Sequence, residues 1–172
     1  MKRKWLFPFL TILLLAPWPV VYAYDDGLGG AETIQIEAAQ ASAAPHWNAF
    51  GGAIGGVANP GDLFYIDAIG EPVDILVTLH LTNADELIEY YRYLILKVGV
   101  YVQTGDEQWE LATSGNGELI PDTYITMRNG VMSFMLPGYA SYKIAIDSGS
   151  FYCIKAANDG SNLSPKFYLT VE

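Results

Sequence analysis

From Asp62 to the C-terminus the chain repeats one motif, a short run of alternating apolar and polar residues closed by turn-forming chemistry. Alternation with a period of two puts every second side chain on one face of an extended strand, so each run is legible as a half-buried strand. The runs span 63–69, 73–82, 93–103, 108–112, 123–127, 131–136, 142–146, 151–156 and 167–171. Between them stand Gly70-Glu71-Pro72, Thr104-Gly105-Asp106, Ser114-Gly115-Asn116-Gly117, Asn129-Gly130, Pro137-Gly138, Asp147-Ser148-Gly149 and Asn158-Asp159-Gly160. Many short strands with regular turns predict an all-β, antiparallel sandwich of about eight to nine strands. Asn129-Gly130 lies between two alternating runs and predicts a two-residue hairpin, because Asn and Gly tolerate the positive φ angles of that turn.

One segment departs from the pattern. Asn83 is a capping residue followed three positions later by Glu86, and Leu87, Ile88 and Tyr91 fall on one side of a 3.6-residue period. This predicts a short helix over 84–91, and continued strand is the alternative, because Tyr90, Tyr91 and Tyr93 favour β structure.

The N-terminus reads as an address. Lys2, Arg3 and Lys4 precede an apolar run from Leu6 to Ala16, and Val21-Tyr22-Ala23 ends in the small-residue pattern read by signal peptidase. Residues 1–23 are therefore expected to be a signal peptide, and the protein to be secreted or held at the cell surface. An uncleaved anchor is the competing reading, but Pro8, Pro17 and Pro19 interrupt a segment shorter than the ~20 residues a spanning helix needs. Cleavage removes three of the nine basic residues and none of the nineteen acidic ones. So acidic a protein has little with which to hold a phosphate backbone, and nucleic acid is not an expected partner.

Residues 24–61 are rich in Gly and Ala and read as a flexible leader ahead of a sandwich domain over 62–172. One island at 31–39 alternates, with Ile34, Ile36 and Ala38 on one face. That strand can complete its own sheet or that of another copy, which makes Ile34, Ile36 and Ala38 the candidate assembly strand and self-association or other surface proteins the candidate partners.

Chemistry-bearing residues are sparse. His46 lies in the leader and His80 sits on a strand between Leu79 and Leu81; the chain has no Gly-x-Ser-x-Gly, His-Glu-x-x-His or Cys-x-x-Cys. No catalytic, cofactor or metal residue is assigned, no cofactor is expected, and the protein is read as not an enzyme. Asp85, Glu86 and Glu89, then Asp106, Glu107 and Glu110, read as solvated acidic surface. Asn158-Asp159-Gly160-Ser161-Asn162 has oxygen donors but not the spacing of a calcium loop. Cys153 is the single cysteine, excludes an internal disulfide and reads as a buried thiol. Trp47, Trp109 and the tyrosines can stack on sugars, or pack across strands. Asn162-Leu163-Ser164 has the form of a glycosylation acceptor.

Asp147-Ser148-Gly149-Ser150-Phe151-Tyr152-Cys153, then Ala156-Ala157-Asn158-Asp159-Gly160 and Phe167-Tyr168-Leu169-Thr170-Val171, resembles the closing strands of immunoglobulin-like or fibronectin type III domains. Leu136-Pro137-Gly138 with Tyr142 is similar to the corner of the latter, although a Phe occupies the tyrosine-corner position of the closing strand and no second Cys exists. The resemblance implies an immunoglobulin-like sandwich and no particular function. The signal, the leader strand, Asn59-Pro60-Gly61-Asp62 and Leu79-His80-Leu81-Thr82-Asn83 together resemble the layout of extracellular fibre subunits of the TasA/camelysin type. That layout implies a role in surface structure, assembly or adhesion. A secreted module binding carbohydrate or another small ligand is the second reading.

Overall fold

The computed structural model describes residues 23–25, 34–39, 55–58, 60–120, 123–154 and 164–172, without the side chains of 23–25, 55–58 and Cys153. Residues 1–22, His46, Trp47, the Asn158–Asn162 segment and the Cys153 thiol lie outside this description.

Eleven strands and one short helix are described: β1 (Ala23–Asp25), β2 (Gln35–Ala38), β3 (Gly55–Ala58), β4 (Gly61–Asp67), β5 (Ile75–Leu81), α1 (Ala84–Ile88), β6 (Tyr91–Gly105), β7 (Gln108–Leu111), β8 (Thr123–Thr126), β9 (Val131–Leu136), β10 (Ser141–Cys153) and β11 (Phe167–Val171). They form two sheets. The smaller has the order β1-β11-β5-β9, antiparallel except where β1 lies parallel to β11. The larger runs β2-β4-β10-β6-β7, with β3 on the second half of β10 and β8 on the first half of β6. Eight strands, β4 to β11, come from Gly61 onward; β2 and β3 come from the stretch read as leader, and β1 straddles the expected cleavage point between Ala23 and Tyr24.

Both sheets are built by the period-two rule. On β5, Ile75, Val77, Leu79 and Leu81 point inward, as do Met132, Phe134 and Leu136 on β9 and Phe167, Leu169 and Val171 on β11. They share one core with Phe64 and Ile66 of β4, Leu94, Leu96, Val98 and Val100 of β6, and Tyr142, Ile144 and Ile146 of β10. Burial of each large aliphatic or aromatic side chain is worth roughly 1.5–3 kcal/mol, and this shared layer holds the sheets together.

Three expectations are corrected. The break at Asp147-Ser148-Gly149 is not a turn, because 142–146 and 151–153 belong to one continuous strand, β10. It is flanked by β6 along its length and by β4 and then β3 on the other side, so continuing satisfies more backbone than reversing would. The turn residues instead sit at a bulge between Ile146 and Ser148, where glycine and short polar side chains are tolerated equally well.

Asn129-Gly130 is not a two-residue hairpin. The runs on either side enter different sheets, β8 pairing with β6 and β9 with β5, and neither residue has positive φ. Ile125 in one run and Met132 and Phe134 in the other are all buried, which separates the runs across the core. The corner is closed locally by Thr126, whose Oγ1 accepts the N–H of Asn129 at 3.0 Å and whose own N–H donates to the Asn129 carbonyl at 3.0 Å.

The helix is shorter than 84–91, and Tyr91 opens β6. The capping box does not form. Asn83 makes no side-chain cap bond; it is buried, with Nδ2 donating to the Ser164 carbonyl at 3.0 Å and Oδ1 accepting the Lys166 N–H at 2.8 Å. Glu86 pairs instead with Lys166 at 3.4 Å. Tertiary partners thus outbid local capping, and the β propensity of the tyrosines prevails from Tyr91 onward.

Ile34 and Ile36 are buried and Ala38 packs against the same core, since β2 pairs antiparallel with β4 in its own chain. Tyr142 is buried on β10, and its hydroxyl donates to the Pro137 carbonyl at 2.6 Å. Burial and the Asp74 charge push this phenol above its ordinary pKa.

Candidate functional site

The outward positions of the larger sheet gather what the inward ones exclude. Register places Glu37 (β2) beside Tyr65 (β4), Tyr65 beside Lys143 (β10), Lys143 beside Tyr101 (β6), and Tyr101 beside Leu111 (β7). The adjoining row places Gln35 beside Asp67 and Asp67 beside Ser141, while Gln103 pairs with Trp109 at the far edge. Neighbouring strands lie about 4.8 Å apart, so long side chains on such rows meet across strands.

Lys143 is the centre of this face. Its Nζ lies 3.4 Å from Asp62 Oδ1, 5.4 Å from the centroid of the Tyr101 ring and 5.1 Å from that of Trp109. The ammonium is thus held between one carboxylate and two aromatic rings. Tyr65 packs against Trp109 with centroids 6.0 Å apart and planes tilted by 48°. Its hydroxyl donates to Asp62 Oδ2 at 2.6 Å. Burial first, then this bond and the charges of Asp62 and Glu37, pushes the Tyr65 phenol up to about 12.

The bulge in β10 contributes directly. Asp147, at the irregularity, accepts the Tyr101 hydroxyl at 2.6 Å. The carboxylate and the ring meet over Gly99, where a Cβ would lie 2.6 Å from Asp147 Oδ2 and 2.6 Å from Tyr101 Cε2. Glycine at 99 is therefore a condition of this arrangement.

Beside the rings is an open cleft of about 470 Å³. Gln35, Glu37, Asp67, Gln103 and Ser141 line it together with Tyr65 and Trp109, and Ile36, Ile66 and Tyr142 complete its wall. Asp67 Oδ1 accepts the Ser141 hydroxyl at 3.2 Å and the Ile69 N–H at 3.1 Å; Gln103 Nε2 donates to the Gly105 carbonyl at 3.2 Å. The Asp67, Ser141 and Gln103 side chains are thus anchored before any ligand arrives. Chemically the cleft offers flat ring surface, amides, a hydroxyl and two carboxylates, a set suited to binding by contact and hydrogen bonding.

Of the residues singled out in the sequence, Trp109 and the β2 strand come together here. Ile36 lines the cleft; Ile34 and Ala38 belong to the core behind it. His80 is on the outer face of the smaller sheet, with its ring 6.1 Å from that of Tyr168. Asp85, Glu86 and Glu89 are exposed on and just after α1; Asp106, Glu107 and Glu110 are exposed around the β6–β7 turn, where Glu107 takes a φ of 58°. Among the described residues no three such groups converge as a metal site. Ser164 is buried, and its carbonyl serves Asn83. Asp62, Tyr65, Tyr101, Lys143 and Asp147 were not assigned to a site; outward parity on the predicted strands could have marked Tyr65, Tyr101 and Lys143, whereas Asp62 lay just before the first run of the domain and Asp147 among residues read as a turn.

What these features define as a class is an all-β protein of two mostly antiparallel sheets around one core, with an aromatic and ionic outer face on the larger sheet. Compared with known proteins, the chain matches no protein-family model and no curated protein. Among the described residues no helix is long and apolar enough to cross a membrane.

Proposed function

We propose that this is an exported, non-enzymatic β-sandwich of immunoglobulin-like type that acts in extracellular or cell-surface structure, assembly or adhesion. The observation that carries the reading is the outer face of the larger sheet, where Tyr65, Tyr101, Trp109 and Lys143 hold one another in place on a surface built for contact. Export is supported by the basic residues, apolar run and Val21-Tyr22-Ala23 of the N-terminus. The immunoglobulin-like assignment is supported by two sheets over one core and by the Tyr142 hydroxyl bonded back to the Pro137 carbonyl, the geometry of a tyrosine corner. The excess of acidic residues argues against nucleic acid as a partner.

The test is fractionation of cells expressing the full chain. The expected product lies outside the cytoplasm, begins at Tyr24 and sediments with cell-surface material, and Trp109→Ala lowers that association. Full-length protein confined to the cytoplasm, or mature protein that associates with no surface, overturns the reading.

Assembly through β2 is a second route within the same proposal, favoured by its place at the edge of the sheet among the described strands, with Ile36 opposite Ile66 of β4 and Ile34 buried in the shared core. A neighbour's β2 could make the same pairing. Replacing both isoleucines with Asp separates the cases: if copies exchange the strand, multimers disappear while the monomer stays folded; if pairing is confined to one chain, the monomer itself loses stability.

A further inference from the structure

The cleft beside Trp109 has a chemical character that selects among ligands. A saccharide is recognised by a flat apolar surface against its C–H face together with fixed groups that donate to and accept from its hydroxyls. Tyr65 and Trp109 supply ring surface, and Gln35, Gln103, Asp67 and Ser141 surround it with amide, carboxylate and hydroxyl groups. Asp67 and Gln103 are already oriented by bonds within the chain, which lowers the ordering cost of binding.

Charge narrows the class. The lining contains the carboxylates of Glu37 and Asp67 and no Lys or Arg. Lys143, whose ammonium lies beside the Trp109 ring, is engaged by Asp62 and by the Tyr101 and Trp109 rings. An anionic sugar would meet like charge without a compensating base. A cationic ligand would compete with Lys143 for the same aromatic quadrupoles, so the ring contacts are best matched by a neutral molecule.

We infer that the cleft formed by β2, β4, β6, β7 and β10 binds a neutral saccharide chain, with Trp109 as the stacking surface and Gln35, Gln103 and Asp67 as the hydroxyl-reading groups. The inference rests on reading the protein as an exported surface-contact domain, and it specifies what that surface contacts. The open shape of the cleft and its position across several strands suit an internal stretch of a polymer better than a single enclosed sugar.

Native electrophoresis of the purified chain through gels containing hydroxyethyl cellulose, galactomannan or laminarin, with polygalacturonate as the acidic control, tests it. At least one neutral polymer should retard the wild-type protein, polygalacturonate should not, and Trp109→Ala should weaken the retardation at least tenfold. Gln103→Ala, at an exposed position, gives a second variant should Trp109→Ala fail to fold, and its loss should be severalfold. Retardation by none of the three neutral polymers, equal retardation by polygalacturonate, or retardation unchanged in the folded variants overturns the inference. These results leave cell-surface association to be judged by fractionation, whereas cytoplasmic confinement overturns the functional reading even where a neutral polymer binds.

Discussion

The two outer faces of this sandwich are made by the same alternation and have different chemistry. On the smaller sheet the outward positions are Leu76, Thr78 and His80 of β5, Val131, Ser133 and Met135 of β9, and Tyr168 and Thr170 of β11. Thr78 and Ser133 share one hydroxyl contact at 2.9 Å, and Val131 and Met135 are half exposed. On the larger sheet an ammonium, two carboxylates and three rings are tied into one network from Asp62 to Asp147. The difference teaches that outward parity only makes a residue available. A site arises where long side chains from several strands meet and a glycine leaves them room.

Truncating the common core should break both faces together. Phe64 is fully buried, so Phe64→Ala is expected to cost about 3–5 kcal/mol through lost burial and a residual cavity. Denaturant unfolding measures it, and a loss below about 1 kcal/mol would contradict a shared core.

Gly99→Val should separate the faces. The new side chain would collide with the Asp147 carboxylate and the Tyr101 ring, at a cost of about 1–3 kcal/mol for an overpacked site. Tryptophan fluorescence should report a disturbed Trp109 while the contacts of His80 and Tyr168 persist in side-chain NMR. An undisturbed Trp109 would show that the Tyr101 and Asp147 pair does not support the cleft.

Alkaline titration sharpens the same contrast. The folded-state pKa of Tyr65, about 12, lies above the ordinary phenol value of 10.0, so the folded chain retains a proton that the unfolded chain releases. The associated stability is fully present below about pH 10 and declines as pH rises from about 10 to about 12. In Tyr65→Phe this part of the decline should vanish, as followed by phenolate absorbance and unfolding at each pH. An identical alkaline profile in the variant would place Tyr65 outside the network.

The smallest effect is expected on the quieter face. Thr78→Val removes an exposed hydroxyl contact on a strand that favours β-branched residues, so stability should change by no more than about 0.5 kcal/mol. Surface association should be unchanged. A marked loss of association in this variant would move the contact surface to the smaller sheet.

Much of the sheet framework was legible before the structure. The alternating runs at 131–136 and 167–171 coincide with β9 and β11, and the outward parity of Trp109 was readable once β7 was. Turn residues misled where their partners were remote. Asp147-Ser148-Gly149 has the composition of a turn, yet the strands on both sides of β10 draw it into a bulge. Asn129-Gly130 has the composition of a hairpin, yet its flanking runs bury their apolar faces in opposite sheets. Asn83 and Glu86 have capping spacing, yet both are taken by the Ser164–Lys166 segment, some eighty residues away.

By itself, then, the sequence determined which side chains turn inward, because alternation along an extended chain is a local property of the backbone and apolar burial needs only a common interior. Tertiary structure decided which runs became neighbours, where β10 bulged and which outward side chains met. Lys143 could not be assigned to Asp62, Tyr101 and Trp109 from spacing, since those partners stand on three other strands and come within reach only through register. The core is written locally in each strand, whereas the site exists only where β2, β4, β10, β6 and β7 lie side by side.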